Sequence, residues 1–358
     1  MTRTVALIGL GNVAEPHLAA YAALDSVKVI AVVDPRSERR REIAERYQVR
    51  PFATCAEMLL EVRPDIACLL TPASTHRMLT EECAAAGIHI LCEKPLAITI
   101  EDARAMRLAC VTSKVHLFYG SSYRYLPAVC EAKKLIEEGV IGTVRLIVEQ
   151  AIGGRGAAAY TPLSEVHYPC GGPGGGGYGL VDHGIHMLDI FPWLCCSKVE
   201  SIVGRGDRTG AASRPEFALM TMANAVLGVL LYDGSTWPAE TPWEGTFSQS
   251  RQWLDNRGWA GESGEWVSNP GSIRVYGTEG ALRIFHYANK LFVNKSGHLR
   301  EHPLSAEAAP WHFGKQLLDF CGSLDRNEPP ESSIDDGIRA LEVLLAIYEG
   351  DSQGSGSN

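Results

Sequence analysis

The first residues suited to chemistry lie in the stretch HILCEKPLAI, residues 89–98. Its apolar beginning predicts a buried strand, yet Glu93 and Lys94 end that strand and are followed at once by Pro95. Charged side chains are rarely buried unless they are paired or functional, and a proline restricts the preceding residue to extended backbone. Ligands of an open α/β sheet bind beyond the carboxyl ends of its strands. We therefore predict that Lys94 projects into a ligand cleft; the alternative is an ordinary surface turn.

A second stretch, LVDHGIHMLD at residues 180–189, combines carboxylates with imidazoles. If it is helical, Asp182 and His186 are four residues apart and share a face. A carboxylate beside a histidine suits acid–base chemistry, because the imidazole titrates close to neutral pH. Two alternatives are an amphipathic helix with solvated polar groups and a metal site. A metal needs three or four converging ligands, and this face offers no third, so we predict that no metal is bound.

The sequence GLGNVA at residues 9–14 has the pattern G-x-G-x-x-A between a predicted strand and a predicted helix. Gly9 allows a tight turn, Gly11 lets a pyrophosphate approach the backbone, and Ala14 lets the helix pack closely. The amino end of the helix then faces the phosphates. Asp34 ends the second predicted strand, where a carboxylate can accept hydrogen bonds from ribose hydroxyls. Together these features predict a dinucleotide-binding site.

The charges near Asp34 bear on which dinucleotide is bound. A fixed carboxylate there favours NAD, because it would repel the 2′-phosphate of NADP. Arg36, Arg39, Arg40 and Arg41 follow closely, and an arginine could hold that phosphate. The other interpretation of these arginines is a solvated helix face. We predict NAD as the cofactor, with NADP as the alternative and Arg36 as a further cofactor contact.

The elements that position these residues follow two patterns. Apolar strands alternate with helices up to about residue 121, which predicts a parallel sheet covered on both faces. Strands then follow one another without intervening helices, which predicts a mainly antiparallel sheet. We therefore predict an α/β fold with a dinucleotide-binding Rossmann domain at 1–121 and a substrate-binding and oligomerisation α/β domain at 122–349. The small polar residues 350–358 predict a disordered tail.

Composition narrows the possible partners. The 358 residues suit two domains, and a net charge of −9 disfavours nucleic acid. No apolar run approaches the roughly 18 residues needed to span a bilayer. The amino-terminal apolar run is broken by glycines and no cleavage site follows, so we expect a cytoplasmic protein. The ten cysteines form no C-x-x-C pair, which agrees with a reducing compartment.

Beyond these single motifs, the chain resembles the Gfo/Idh/MocA superfamily of NAD(P)-dependent sugar and cyclitol oxidoreductases. The resemblance covers nearly the whole chain. It is carried in order by GLGNVA, TPASTH (71–76), AGIHILCEKPLA (86–97), YRYLPAV, LIEEGVIG, GGGGYGLVDHGIHMLD (174–189), IRVYGTEGAL and DDGIRALEVLLAIYE. The fold that it implies is a Rossmann domain followed by an α/β domain with a large open, mainly antiparallel sheet.

The resemblance also implies roles for single residues. The catalytic set that it implies is Lys94, Asp182 and His186. The cofactor contacts that it implies, with Arg36 added from the charges above, are Gly9, Leu10, Gly11, Asn12, Val13, Asp34, Arg36, Thr71, Pro72, His76, Glu93, Lys94 and Arg124. Substrate contacts are expected from Lys94, Tyr123, Arg124, Asp182 and His186.

The chemistry expected of this set is hydride transfer between a secondary hydroxyl of a sugar, glycoside or cyclitol and nicotinamide. His186 would act as the base, Lys94 would stabilise the alkoxide-like oxygen, and Asp182 would orient the hydroxyl or the imidazole. Two alternatives stay open. One is an enzyme that uses transient oxidation to cleave glycosides or to epimerise; the other is a non-catalytic regulator that binds NAD or sugar.

A tryptophan-rich stretch at residues 237–266 has no place in these motifs. It contains five of the seven tryptophans of the chain, Trp237, Trp243, Trp253, Trp259 and Trp266. Aromatic faces suit sugars and flat aglycones, and tryptophan is also enriched at protein interfaces. The stretch is therefore predicted to border the substrate pocket or to join subunits. We expect a homodimer or homotetramer assembled through the second sheet.

Overall fold

The computed structural model describes residues 2–152, 168–170, 178–207, 215–233, 272–286, 288–304 and 311–353. The tryptophan-rich stretch at 237–266 lies outside these ranges, and so does its predicted role. The described residues form two compact units. Residues up to Ser122 and the range Pro310–Leu341 belong to the first unit, and most of the others belong to the second.

The first unit is built on a six-stranded sheet in the order β3-β2-β1-β4-β5-β6, and all of its pairings are parallel. This confirms the predicted Rossmann-type arrangement. Its strands are apolar because both faces of the sheet are covered. They are β1 Arg3–Ile8, β2 Val27–Val33, β3 Arg50–Phe52, β4 Ile66–Leu69, β5 His89–Glu93 and β6 Leu117–Gly120. The short β3 was not predicted, since three residues that include arginine and proline carry no periodic signal.

The helices of the first unit follow the strands in the predicted alternation. Thr54 and Thr99 cap two of them, each accepting a hydrogen bond from a backbone N–H of the first turn, as N-cap residues commonly do. The helices before residue 122 are α1 Ala14–Ala22, α2 Ser37–Tyr47, α3 Cys55–Glu61, α4 His76–Ala85 and α5 Ile100–Ser113.

The second unit is built on an eight-stranded sheet in the order β14-β13-β12-β11-β7-β10-β9-β8. The pair β7–β10 is parallel and the other pairs are antiparallel, so the prediction of a large, mainly antiparallel sheet is confirmed. The strands are β7 Val144–Ile152, β8 Val199–Arg205, β9 Glu216–Met222, β10 Leu227–Asp233, β11 Ser272–Gly277, β12 Gly280–Phe285, β13 Lys290–Lys295 and β14 His298–His302. Helix α6 spans Pro127–Glu137, and a π-helical turn at Tyr178–Gly184 leads into helix α7, Ile185–Leu194.

The ends of the chain depart from the predicted domain ranges. Helix α8, Trp311–Arg326, belongs to the first unit: the ring of Phe313 lies 4.2 Å from that of His17, and the ring of Phe320 lies 5.3 Å from that of Phe118. These aromatic contacts place α8 in the first unit, whereas the predicted second domain included the whole range 122–349. Helix α9, Ile334–Gln353, extends into the predicted tail, because buried residues such as Tyr348 anchor its preceding turns.

Two composition-based predictions can be compared with the described part of the chain. No helix there is long and apolar enough to cross a membrane. Most of the ten cysteines are buried and none of them forms a disulfide, in agreement with the predicted reducing compartment.

Replacing Phe320 by alanine tests whether α8 belongs to the core of the first unit. Phe320 is fully buried, so its truncation should lower the free energy of unfolding of this unit by about 3–5 kcal/mol. The measurement is urea denaturation followed by circular dichroism. The control is Leu108→Ala on α5, where the residue is 67% exposed and the loss should be below about 0.5 kcal/mol. Equal losses in the two variants would contradict this packing.

Candidate active site

The glycine turn after β1 has the geometry that its sequence predicts. Gly9 has a φ of +95°, and a Cβ atom there would lie 2.7 Å from Thr71 Cγ2 and 2.8 Å from the carbonyl oxygen of Leu70. No other residue fits without displacing the loop after β4. A Cβ at Gly11 would meet nothing within 4 Å, so the backbone there is open to a ligand. Asn12 and Val13 complete the turn, and the uncapped amino end of α1 follows, an arrangement suited to phosphate binding.

Asp34 stands directly after β2 and is 3% exposed. Its carboxylate accepts hydrogen bonds from the backbone N–H of Leu10 at 2.8 Å and from both Nε and Nη2 of Arg36 at 2.8 and 2.9 Å. Burial alone would raise the pKa of Asp34, but the hydrogen bonds from Arg36 and the backbone outweigh burial and hold the pKa below its ordinary value. The ionised Asp34 therefore fixes the glycine turn. It also forms an ion pair with Arg36, whose side chain is 61% exposed.

Lys94 follows β5 at the same edge of the sheet as Gly9 and Asp34, because all three stand at the carboxyl ends of parallel strands. The preceding residue, Glu93, is buried; its Oε1 lies 3.1 Å from Nε2 of His17, and its Oε2 accepts a hydrogen bond from the backbone N–H of Lys94 at 3.2 Å. Glu93 is thereby a fixed support for the backbone at Lys94. Because the buried carboxylate of Glu93 is paired with His17, a charged residue can end this core strand.

The loop after β4 carries three further predicted cofactor residues. Thr71 and Pro72 lie in this loop, and the Oγ1 of Thr75 donates to Oγ1 of Thr71 at 2.7 Å. His76 is fully buried, with Nε2 2.8 Å from the carbonyl oxygen of Thr71 and Nδ1 3.1 Å from that of Leu96. Burial lowers the pKa of His76. Its ring lies between the carbonyl oxygens of Thr71 and Leu96 and thereby bridges the loops after β4 and β5.

In the second unit, Arg124 forms a buried ion pair. Its Nε and Nη2 donate to the two carboxylate oxygens of Asp189 at 2.7 and 2.5 Å, and its Cζ lies 5.5 Å from the centre of the Trp193 ring. Arg124 and Asp189 are each 4% exposed. The sequence predicted Arg124 as a ligand contact and gave Asp189 no role. The structure places the guanidinium on Asp189, so the pair joins the turn at Ser122–Tyr125 to α7.

The ring of His186 is stacked on Tyr123. The two ring centroids lie 3.7 Å apart and the planes differ by 5°, which fixes the orientation of an imidazole that is 5% exposed. Tyr123, predicted as a substrate contact, is itself buried. The stretch that contains Asp182 and His186 is helical, as expected, but Asp182 belongs to the π-helical turn and His186 to the first turn of α7.

Two glycines and a carboxylate set the position of this π-helical turn. A Cβ at Gly179 would lie 2.6 Å from Cβ of Tyr232, and one at Gly184 would lie 3.2 Å from Cε2 of the same tyrosine. The turn can therefore pack closely against β10. Oε2 of Glu216 accepts a hydrogen bond from the backbone N–H of Leu180 at 3.1 Å. Such π-helical turns are frequent at functional sites, and this one carries Asp182 and His183.

A buried polar cluster beneath the turn was missed by the sequence analysis. Nε2 of His183 lies 2.8 Å from Oε1 of Glu149, Nε2 of His286 lies 3.8 Å from the same oxygen, and the hydroxyl of Tyr232 donates to Oε2 of Glu149. Burial lowers the pKa of His286 to about 3. Burial would raise the pKa of Glu149, but His183 outweighs it and lowers the pKa. The available signal was Glu149 itself, a charged residue inside the apolar strand LIVEQAI.

Known families match both units of the chain. Residues 3–121 match the family described as "Oxidoreductase family, NAD-binding Rossmann fold", and residues 129–283 match the "GFO/IDH/MocA C-terminal domain". The chain belongs to the Gfo/Idh/MocA family. The resemblance predicted from the motifs is confirmed, and with it the NAD-binding Rossmann fold of the first unit.

Curated relatives carry names of sugar dehydrogenases. A D-apiose dehydrogenase from Paraburkholderia graminis is 32% identical over 53% of this chain and 48% of its own length. A D-glucoside 3-dehydrogenase from Escherichia coli is 31% identical over 52% of this chain and 52% of its own length. The chain thus spans about half the length of these curated relatives.

Solved structures match the fold over nearly the whole chain. The aldose-aldose oxidoreductase from Caulobacter crescentus, complexed with glycerol, superposes with a TM-score of 0.79 at 21% identity and covers 99% of this chain and 98% of its own. The WlbA dehydrogenase from Bordetella pertussis, in complex with NADH and UDP-GlcNAcA, gives a TM-score of 0.73 at 21% identity, over 99% and 96% of the two chains. At this identity the likeness shows the fold.

The Asp34→Ser variant tests the part played by this carboxylate in cofactor choice. The substitution removes a negative charge and releases Arg36, so the affinity for NADP relative to NAD should rise by about tenfold or more, equivalent to about 1.4 kcal/mol. Fluorescence titration with the two reduced dinucleotides measures the ratio. The control, Glu38→Ser, removes an exposed charge from the same region and should leave the ratio unchanged. Equal shifts in both variants would mean that Asp34 exerts only a general charge effect.

The Arg124→Met variant tests the buried ion pair in the second unit. It leaves Asp189 in a buried site without the guanidinium, which should cost about 3–5 kcal/mol of stability. The control is Arg77→Met, which breaks a surface pair of 2.9 Å with Glu81 and should cost about 0–1 kcal/mol. Denaturant unfolding measures both. A double variant, Arg124→Met with Asp189→Leu, should recover most of the loss; no recovery would contradict a loss caused by the buried charge.

Proposed function

We propose that the protein is an NAD-dependent oxidoreductase that acts on a secondary hydroxyl group of a sugar, glycoside or cyclitol. The observation that carries the proposal is the position of Lys94, at the carboxyl end of β5 and at the same sheet edge as the Gly9 turn and Asp34. Ligands of this class of fold bind beyond that edge. A lysine there supplies a cation beside the dinucleotide site.

The proposed chemistry assigns one task to each side chain. Nicotinamide, when bound, accepts or returns the hydride. His186 takes the proton of the substrate hydroxyl, and its stack on Tyr123 keeps the imidazole in one orientation, so little reorganisation is needed at the moment of transfer. Lys94 donates a hydrogen bond to the same hydroxyl oxygen and stabilises the negative charge that develops there. Asp182 orients the hydroxyl or the imidazole.

The substrate class rests on the relatives and on the polarity of these residues. The names D-apiose dehydrogenase and D-glucoside 3-dehydrogenase both describe oxidation of a carbohydrate. An imidazole, an ammonium and a carboxylate are the groups that bind and activate a polyol, because each can exchange hydrogen bonds with hydroxyl groups. We propose NAD rather than NADP because the ionised Asp34 accepts hydrogen bonds from Arg36. The guanidinium of Arg36, the group best suited to bind a 2′-phosphate, is thereby already occupied.

A homo-oligomer assembled through the second sheet is also proposed. Large apolar side chains are exposed on neighbouring strands of that sheet: Val203 at 66%, Leu219 at 42% and Leu227 at 41%. Val203 and Leu219 are direct cross-strand partners on β8 and β9. An exposed apolar patch on a regular sheet is typical of a protein interface, and a second copy of the same face would cover it.

Oxidation assays with variants test the proposed chemistry. A panel of sugars, glycosides and cyclitols is screened with NAD by following the absorbance of reduced nicotinamide. With the best substrate, His186→Asn should lose about 10²–10⁴ in kcat and Lys94→Ala about 10²–10³, because the base or the stabilising charge is removed. Affinity for NAD should stay within a few-fold in both variants.

The matched controls are His298→Asn and Lys28→Ala, both at exposed positions, and they should keep the activity of the parent. Near-normal turnover in Lys94→Ala or His186→Asn would contradict the assignment. Products formed without net reduction of NAD would instead indicate glycoside cleavage or epimerisation through transient oxidation.

A further inference from the structure

Three side chains with metal-ligating atoms converge inside the second unit. They come from three separate elements: Glu149 from the middle of β7, His183 from the π-helical turn, and His286 from the residue after β12. One ligand atom from each lies within 4.8 Å of the other two. The metal site rejected from the sequence would have used Asp182 and His186; this cluster uses His183 instead, and the sheet brings its other two ligands from distant parts of the chain.

The separations of these atoms suit a small divalent ion. Oε1 of Glu149 lies 2.8 Å from Nε2 of His183 and 3.8 Å from Nε2 of His286. In a tetrahedral zinc site with bonds of about 2.0–2.1 Å, neighbouring ligand atoms stand about 3.3–3.4 Å apart. The two distances lie on either side of this value and would each change by about half an ångström, and the three ligand atoms all lie within 4.8 Å of one another. Two imidazoles and one carboxylate supply three of the four ligands of a tetrahedral zinc ion, and an enclosed water would supply the fourth.

The surroundings of the cluster also fit a bound cation. Oε1 of Glu149 faces both histidines, and the other oxygen accepts a hydrogen bond from Tyr232. Ligating carboxylates are commonly fixed in this way by a second hydrogen bond. A cation would balance the charge of Glu149 in a region where an unbalanced carboxylate is costly.

Burial decides what such an ion would do. Glu149 and His183 are 0% exposed and His286 is 1% exposed. A catalytic metal keeps an open position for water or substrate, whereas a structural metal is closed. The cluster lies beside the ring pair of the candidate active site: the Tyr123 centroid lies 5.8 Å from that of His183 and 5.5 Å from that of His286. An ion here would tie β7 and β12 to the turn that precedes His186.

We propose that Glu149, His183 and His286 bind one structural divalent metal ion of the zinc type, which holds the segment containing Asp182 and His186 against the second sheet. The alternative is a cluster in which a proton, and no metal, lies between these side chains. This proposal does not rest on the proposed oxidoreductase activity. Metal content is measured without substrate or NAD, so either proposal can fail while the other stands.

Metal analysis of the full chain is the direct test. Because the site is buried, the protein is purified from cells grown in defined medium with Zn²⁺ and, in a second culture, with Co²⁺. Mass spectrometry of the purified protein should give about one metal per chain. The cobalt form should show visible absorption bands of four- or five-coordinate Co²⁺ without a thiolate-to-metal charge-transfer band. A thiolate band would place the metal on cysteines and overturn the proposal.

Variants identify the ligands. His286→Gln and Glu149→Gln should each retain less than about 0.1 equivalents of metal, since a three-residue site tolerates no loss of a ligand. Tyr232→Phe should weaken binding by about 10–100-fold. The matched control is His312→Gln, which replaces a buried histidine of the first unit whose pKa is also lowered to about 3 by burial; it should keep the full metal content.

Thermal unfolding adds a readout that needs no variant. Prolonged dialysis against dipicolinate should lower the melting temperature of the parent by several degrees, and Zn²⁺ should restore it. Should His286→Gln or Glu149→Gln fail to fold, the metal content and cobalt spectrum of the parent still decide. The proposal is overturned if the parent contains less than about 0.1 equivalents of metal, or if neither dipicolinate nor Zn²⁺ changes its melting temperature. The cluster would then hold a proton in place of a metal. The same follows if His286→Gln and His312→Gln retain equal metal.

Discussion

The cost of burying a carboxylate is the constraint on which the candidate residues of both units depend. An ionised group loses several kcal/mol of solvation on leaving water and needs partners in the interior. Glu93, Glu149, Asp189 and Glu216 are all at most 5% exposed. Their partners differ in kind: imidazole for Glu93 and Glu149, guanidinium for Asp189, and backbone N–H groups with a tyrosine hydroxyl for Glu216. Each partnership fixes one segment of backbone relative to another.

The segments fixed in this way carry the residues proposed for catalysis. Glu93 accepts a hydrogen bond from the backbone N–H of Lys94, so the position of the lysine depends on a carboxylate that has no contact with substrate in the proposed chemistry. Glu216 holds the start of the π-helical turn through Leu180, and Glu149 holds its middle through His183. The turn is therefore fixed at two points on either side of Asp182. Burial raises the pKa of Glu216, so its hydrogen bonds with Asp207 and Tyr348 serve to offset that penalty.

Much of the fold was predictable because its signals are local. Parallel strands covered on both faces must be apolar throughout, and a mainly antiparallel sheet follows from strands without crossover helices. The signal failed where it was short or polar, as in β3 and β14, and where contacts far apart in sequence decide the outcome. Helix α8 reads as part of the second domain by position, yet the packing of Phe313 on His17 and of Phe320 on Phe118 assigns it to the first unit. Amphipathicity shows that a helix packs and does not show against which sheet.

The same distinction separates the candidate residues of the first unit from those of the second. The sequence by itself determined that Gly9, Asp34 and Lys94 share one edge, because the carboxyl ends of parallel strands meet there whatever the details of packing. Only the tertiary structure decided that Arg124 pairs with Asp189, 65 residues away, and that Glu149 meets His183, 34 residues away. These pairings depend on which helix or turn packs over each segment: Arg124 meets α7, and Glu149 of β7 meets the π-helical turn. Hydrophobic periodicity marks which face of a strand or helix is buried, but it carries no information about which element packs over that face, and that element supplies the polar partner.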